Sequence, residues 1–236
     1  MIGLFLGEKK LPLEILKSLK KKRIKYFIID LTKNNKFKKD SNSYFINIGK
    51  FGKILELIKS KKCKKVLFAG NIIKPRISKL KLDLKGIYYI PRIIKASKLG
   101  DAAILKELIK ILSENKIKVI KLNTFNPELT LSKGCYTKSK PGPTDKLIMK
   151  KGIEILNRSN SFNHVQALVI NNRKIVSLEK RKGTMDMLKS IKNNKLQNKL
   201  LLKMPKSKQD LRVDLPTIGL DTVSYTHLTL PTICSV

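Results

Sequence analysis

The sequence predicts an α/β protein: a parallel sheet with helices on both faces, a turn-rich linker, and a smaller second α/β domain. Three observations carry this. Short Ile/Leu/Phe-rich runs alternate with amphipathic stretches through residues 1–122, and short continuous apolar runs are the signature of strands buried on both faces. Residues 123–143 are rich in Thr, Ser, Lys, Pro and Gly and include Lys140-Pro141-Gly142-Pro143, a run that favours turns. Beyond them helix and strand patterns resume. The expected divisions are a first domain over 1–125, a linker over 126–143 and a second domain over 144–222.

In chain order, residues 2–6 and 24–31 read as buried strands. Between them Leu13, Leu16 and Leu19 recur among lysines, one face of a helix over 13–22. Residues 44–48 read as a strand, Phe51, Leu55 and Ile58 as a helical stripe, and 65–69 as a strand ending at Gly70. The clearest helix is 101–115, where Ile104, Leu105, Leu108, Ile109 and Leu112 share a face; a strand over 117–122 follows. In the second domain 144–158 is expected to be helical. Strands over 165–170 and 174–178 meet around Asn171-Asn172, because Asn tolerates the positive φ of a hairpin turn. A short helix over 185–191 has Thr184 as its expected N-cap, and 200–203 is a last strand.

Composition narrows the function classes. The chain has 236 residues, a net charge of +35 and 42% hydrophobic residues, enough for a buried core and against overall disorder. The charge would draw nucleic acid, an anionic membrane or a phosphorylated ligand. Lysine is spread through every element together with Ile and Asn, as biased base composition produces, and neither a basic tail nor a zinc-finger spacing is present. Cys63, Cys135 and Cys234 are widely spaced with no CxxC, so a reduced, cytosolic compartment is expected. The apolar run over 1–6 is short for a signal peptide, and no apolar stretch approaches the ~20 residues that span a bilayer. Residues 223–236 resemble the translation of a transposon sequencing adapter; native sequence is expected to end near Thr222, and His227 and Cys234 are given no functional weight.

The most informative stretch is 203–219, KMPKSKQDLRVDLPTIG. It is too irregular for a helix face or an alternating strand and reads as a loop. Its mixture of cations and carboxylates suits a phosphorylated substrate. Asp210 and Asp214 are the candidates for binding a metal ion or activating a water; the alternative for each is an ion pair with Arg212, Lys206 or Lys208. Lys203, Lys206 and Arg212 could hold a diphosphate, Arg by a bidentate fork and Lys as a point charge. Gly183-Thr184 precedes a short helix and could offer backbone N–H groups to a phosphate or simply cap the helix. Glu179 ends a strand and faces a cleft or solvent. Gly70-Asn71 lies where parallel sheets bind ligands. Asp101 opens the long helix as a cap or dipole partner. His164 reads as structural.

These residues resemble a known family, the LpxI-type UDP-2,3-diacylglucosamine pyrophosphatases of lipid A biosynthesis. The likeness runs over essentially the whole of residues 1–222. It includes Gly7 with Leu11-Pro12, Gly49-Lys50-Phe51-Gly52, Phe68-Ala69-Gly70-Asn71 with Pro75, Gly100-Asp101, Pro127-Glu128 before Gly134, Gln166-Ala167, Glu179, Gly183-Thr184 and Met187-Leu188. The loop over 203–219 is the most specific match. Glu8-Lys9-Lys10 depart from the family's small residues, and Met185-Asp186 shift its carboxylate by one place.

The resemblance implies a Rossmann-like first domain, a lipid-bearing substrate between two domains, and a homodimer through the second. It implies Mg²⁺-dependent hydrolysis of UDP-2,3-diacylglucosamine to UMP and 2,3-diacylglucosamine 1-phosphate, in the cytoplasm beside the inner membrane of a Gram-negative bacterium. Asp214 is then expected to be the essential carboxylate, with Asp210 as a second metal ligand. Lys203, Lys206 and Arg212 would meet phosphate oxygens; Gln209, Thr184 and Thr217 would donate hydrogen bonds; Gly70, Asn71 and Asp101 would line the substrate site. The alternatives are a basic nucleic-acid-binding module and an inactive fragment of the pyrophosphatase.

Overall fold

The computed structural model describes residues 1–72, 80–129, 134–135, 140–159, 165–171, 174–180, 182–191, 199–205, 210, 212–213 and 234–235. The chain divides into two compact units, one of Met1–Thr130 with Asp210–Asp214, the other of Leu131–Gln209 with Leu215–Val236.

The first unit begins with β1 (Ile2–Leu6), α1 (Leu11–Lys21), β2 (Tyr26–Asp30), β3 (Ser43–Phe45), α2 (Phe51–Ser60) and β4 (Lys65–Ala69). It continues with α3 (Leu84–Ser97), α4 (Asp101–Glu114) and β5 (Lys118–Val119). All strands are parallel, in the order β3-β2-β1-β4-β5. The apolar runs of β1, β2 and β4 serve two cores at once. Ile2, Leu4, Leu6, Ile28 and Leu67 face a core closed by Ile15, Leu16 and Leu19 of α1. Phe5, Phe27, Ile29, Val66 and Phe68 face the opposite core, closed by Phe51, Ile54, Leu55 and Ile58 of α2 and by Ile109, Ile111 and Leu112 of α4. Side chains alternate faces along a strand, so a continuous apolar run fills both layers. Each such side chain contributes roughly 1.5–3 kcal/mol when fully buried.

The expected strand over 117–122 is shorter in the structure. β5 ends at Val119, and a 3₁₀ turn occupies Leu122–Thr124. Helix α3 falls in a region where the sequence suggested no element. Its N-cap is Asp83, whose carboxylate accepts from Gly86 N at 2.7 Å and also from Gly52 N and Lys53 N at 3.0 Å. One side chain therefore caps both α2 and α3. The close approach explains the glycines around it: a Cβ on Gly86 would lie 2.3 Å from Gly49 O, and one on Gly49 2.7 Å from Lys81 O.

The second unit contains β6 (Gly134–Cys135), α5 (Pro143–Ser159), β7 (Ala167–Asn171), β8 (Lys174–Leu178), α6 (Thr184–Ser190), β9 (Lys199–Lys203) and β10 (Cys234–Ser235). Its three-stranded sheet is antiparallel, ordered β8-β7-β9. Leu168 and Ile170 of β7 pack with Ile148 and Leu156 of α5, while Ala167 and Val169 pack with Met187 and Leu188 of α6. Strands β7 and β8 pair as the expected hairpin. β6 pairs antiparallel with β10, which sets Cys135 opposite Cys234. Cys63 is free and buried.

Candidate functional site

In the second unit, the ends of three strands and a helix start bring Glu179, Thr184 and Lys203 together. β8 ends at Leu178, and Glu179 continues the ladder, its N–H donating to Ala167 O at 2.9 Å. The residue is 3% exposed. Gln166 N donates to Oε2 at 2.9 Å, and Thr184 Oγ1 donates to Oε1 at 2.8 Å. Lys203 Nζ, at the end of β9, donates to Thr184 Oγ1 at 2.7 Å. The Thr184 hydroxyl thus donates to a carboxylate and accepts from an ammonium, which fixes its rotor. The N-cap of α6 is Gly183, at φ +91, rather than Thr184. Thr184 is the first helical residue, and its hydroxyl is used on Glu179. Glu179 is therefore buried inside the second unit rather than facing solvent. A buried carboxylate holding a hydroxyl that holds an ammonium can present a positioned cation to a phosphate oxygen.

In the first unit, β1 and β4 are neighbours where the strand order reverses, the position at which open parallel sheets bind ligands. Gly70 and Asn71 follow β4 there. Gly7 N donates to Ala69 O at 2.9 Å, and Glu8 and Asn71 form an isolated bridge. A Cβ on Gly7 would stand 2.4 Å from Asn71 O. Gly70 has φ +85, and a Cβ on it would stand 2.6 Å from Glu8 O. Lys9, in the segment that departs from the family pattern, has φ +79, a region glycine occupies at no steric cost. Asp30 sits at the end of β2, where dinucleotide-binding sheets carry a ribose ligand. Here it is fully buried and accepts from Thr32 N, Thr32 Oγ1 and Phe37 N at 2.7 to 3.0 Å, so it organises its own loop. Asp101 is the first residue of α4, after Gly100 at φ +105.

Asp210 and Arg212 also belong to the first unit, where Leu122 N donates to Arg212 O at 3.2 Å and Val213 packs against the core. The two side chains form a bidentate pair. Arg212 Nε donates to Asp210 Oδ1 at 2.9 Å, and Nη2 donates to Oδ2 at 2.6 Å. The guanidinium holds the Asp210 carboxyl below its ordinary range, and the carboxylate in turn raises Arg212. Ion pairing, the alternative weighed from sequence, is what the structure shows for Asp210. Both carboxylate oxygens are engaged, and among the described residues no three His, Cys, Asp or Glu side chains converge on one point. Lys206, Gln209, Asp214 and Thr217 lie outside the described residues.

A family model described as the LpxI N-terminal domain matches residues 1–129, and one described as the LpxI C-terminal domain matches residues 132–231. The chain is also similar to the UDP-2,3-diacylglucosamine pyrophosphatase LpxI of Caulobacter vibrioides, 29% identical over 186 residues, covering 75% of this chain and 66% of that protein. It thus spans just under two thirds of the length of the curated relative it matches.

Proposed function

The chain belongs to the LpxI family, and from that premise we propose that it hydrolyses the diphosphate bond of UDP-2,3-diacylglucosamine in lipid A biosynthesis. Water supplies an oxygen to one phosphorus, the P–O–P bond breaks, and the products are UMP and 2,3-diacylglucosamine 1-phosphate. The observation that carries the reading is the Glu179–Thr184–Lys203 chain, standing where β9 runs toward the loop that most resembles the family. It supplies an oriented cation for a diphosphate. The matches across both units favour this reading over a nucleic-acid-binding module.

Within the proposal, Lys203 meets a phosphate oxygen as a point charge. Thr184 holds the ammonium, and Glu179 acts as a positioning residue through Thr184. Arg212 has five N–H donors, of which the pair with Asp210 uses two, so the fork can meet a phosphate without releasing Asp210. Asp214 is the essential carboxylate, and Lys206, Gln209 and Thr217 complete the loop's contacts. The proposal includes Mg²⁺ held through Asp214; the ion would neutralise diphosphate charge when bound. Asp210 joins it only by giving up Arg212. A homodimer and a place at the cytoplasmic face of the inner membrane are further parts of the proposal.

The test is release of UMP from UDP-2,3-diacylglucosamine by the full chain, with and without a chelator. Asp214→Asn keeps the shape of the side chain and removes its charge. Loss of kcat in that variant, and of activity on chelation, is expected. Undiminished kcat in Asp214→Asn would end the assignment of the essential carboxylate.

A further inference from the structure

Helix α3 is apolar on two faces, and only one of them is used by the core. Its inward side presents Gly86, Tyr89, Ile93 and Ala96, of which Tyr89 and Ile93 pack against the core beneath the sheet. Its outward side carries Leu84, 86% exposed, Ile87, 56%, Tyr88, 72%, and the exposed Pro91 and Ile94. At about 100° per residue these five positions fall within an arc of about 120°, opposite the buried positions. Lys95 and Lys98 share the arc, and both are exposed. Soluble surfaces rarely leave such a stripe open to water, and stability does not demand it. Arg92, on the flank, is tied to Glu107 and Glu114 of α4, which holds the helix in place without covering the stripe.

We propose that the outward face of α3 docks on an anionic lipid surface, with Leu84, Ile87, Tyr88, Pro91 and Ile94 entering the headgroup boundary and Lys95 and Lys98 meeting lipid phosphates. Charge selects this occupant. The chain carries +35, so a second copy brings like charge to Lys95 and Lys98, whereas an acidic bilayer brings the opposite. An apolar stripe, an interfacial tyrosine and flanking lysines are the composition of a helix that lies in the membrane plane. No described helix is long and apolar enough to cross a membrane, so the contact is one of lying on the bilayer. The inference deepens the lipid-substrate reading, and it is measured without turnover, so either can fail while the other stands.

The chain has no tryptophan, so Tyr88→Trp introduces a sole reporter at an exposed position. Added vesicles of phosphatidylethanolamine and phosphatidylglycerol should shift its emission to the blue, while Leu13→Trp on α1 should not respond. Leu84→Ser with Ile87→Ser should weaken partitioning at least about tenfold at high salt, where the general charge attraction is screened. Lys95→Gln with Lys98→Gln should weaken it about tenfold or more at low salt. An unshifted Tyr88→Trp emission overturns the proposal, as does unchanged partitioning of the double serine variant. A dimer at sedimentation equilibrium that the serine variant dissociates also overturns it, because the face then lies between copies.

Discussion

Replacing Glu179 by Gln tests whether the buried carboxylate holds Thr184 and Lys203 as one unit. Glu179 takes two hydrogen bonds, 2.8 Å from Thr184 Oγ1 and 2.9 Å from Gln166 N. A Gln side chain keeps one acceptor oxygen and turns the other into a donor. If the oxygen stays on Gln166 N, the new NH₂ meets the Thr184 hydroxyl, which already accepts from Lys203 at 2.7 Å. The hydroxyl proton then has lost its acceptor. One bond to a charged group is lost, at about 1.5–3 kcal/mol. Glu179→Ala loses both bonds and leaves the part-buried Gln166 N–H without this partner, a larger loss. The decisive measurement is a double-mutant cycle of Glu179→Gln and Lys203→Met by urea unfolding of the full chain, accepting midpoint shifts only where the slope is unchanged. A coupling of about 0.5–3 kcal/mol is expected. The same cycle in kinetics should show kcat/KM falling about tenfold or more in either single variant and little further in the pair. Additive energies, with Glu179→Gln within about 0.5 kcal/mol of the parent, would refute the reasoning.

Other outcomes follow from the first unit. Asp83→Ala removes the cap of two helices and should destabilise by about 1–3 kcal/mol in chemical unfolding. Burial alone would raise the Asp83 carboxyl, but donation from Gly86, Gly52 and Lys53 N–H groups outweighs it, and the net direction is downward from 3.8. Its folded value is depressed, so its contribution is fully present above the unfolded value and is lost as pH falls through the folded one. An Asp83→Asn chain should therefore lose less stability than the parent on acidification below about pH 4. Gly70→Ala forces a side chain into φ +85 and to 2.6 Å from Glu8 O. A fall in melting temperature is expected, together with weakened uridine nucleotide binding if the β1–β4 crevice is part of the substrate site.

Much of the fold was legible because strand burial and helix amphipathicity leave one-dimensional traces. Residues 65–69 read as a strand because Val66, Leu67, Phe68 and Ala69 are buried on both faces, and β4 occupies those positions. Helix α3 was not legible. Its apolar positions do recur with a helical period, but Gly86 and Pro91 inside it read as helix interruptions. Its start depends on Asp83, which binds N–H groups about 30 residues upstream as well as its own first turn. Asp30 carries the converse lesson: its position at a strand end suits a ligand contact, yet its burial commits it to its own loop.

The sequence by itself determined the α/β class, the order of most elements and the family, because hydrophobic period and short motifs are local properties of the chain. It marked Thr184, Lys203, Asp210 and Arg212 without saying which would meet. The tertiary structure decided that. It joined Lys203 to Glu179 through Thr184 by bringing three strand ends together, and it committed Asp210 to Arg212. It also placed Asp210, Arg212 and Val213 with the first unit, although they follow the whole second sheet in the chain. The physical reason is that hydrogen-bond partners and core contacts are set by distance in space, and residues over 80 positions apart, such as Leu122 and Arg212, become neighbours only once the sheet has closed.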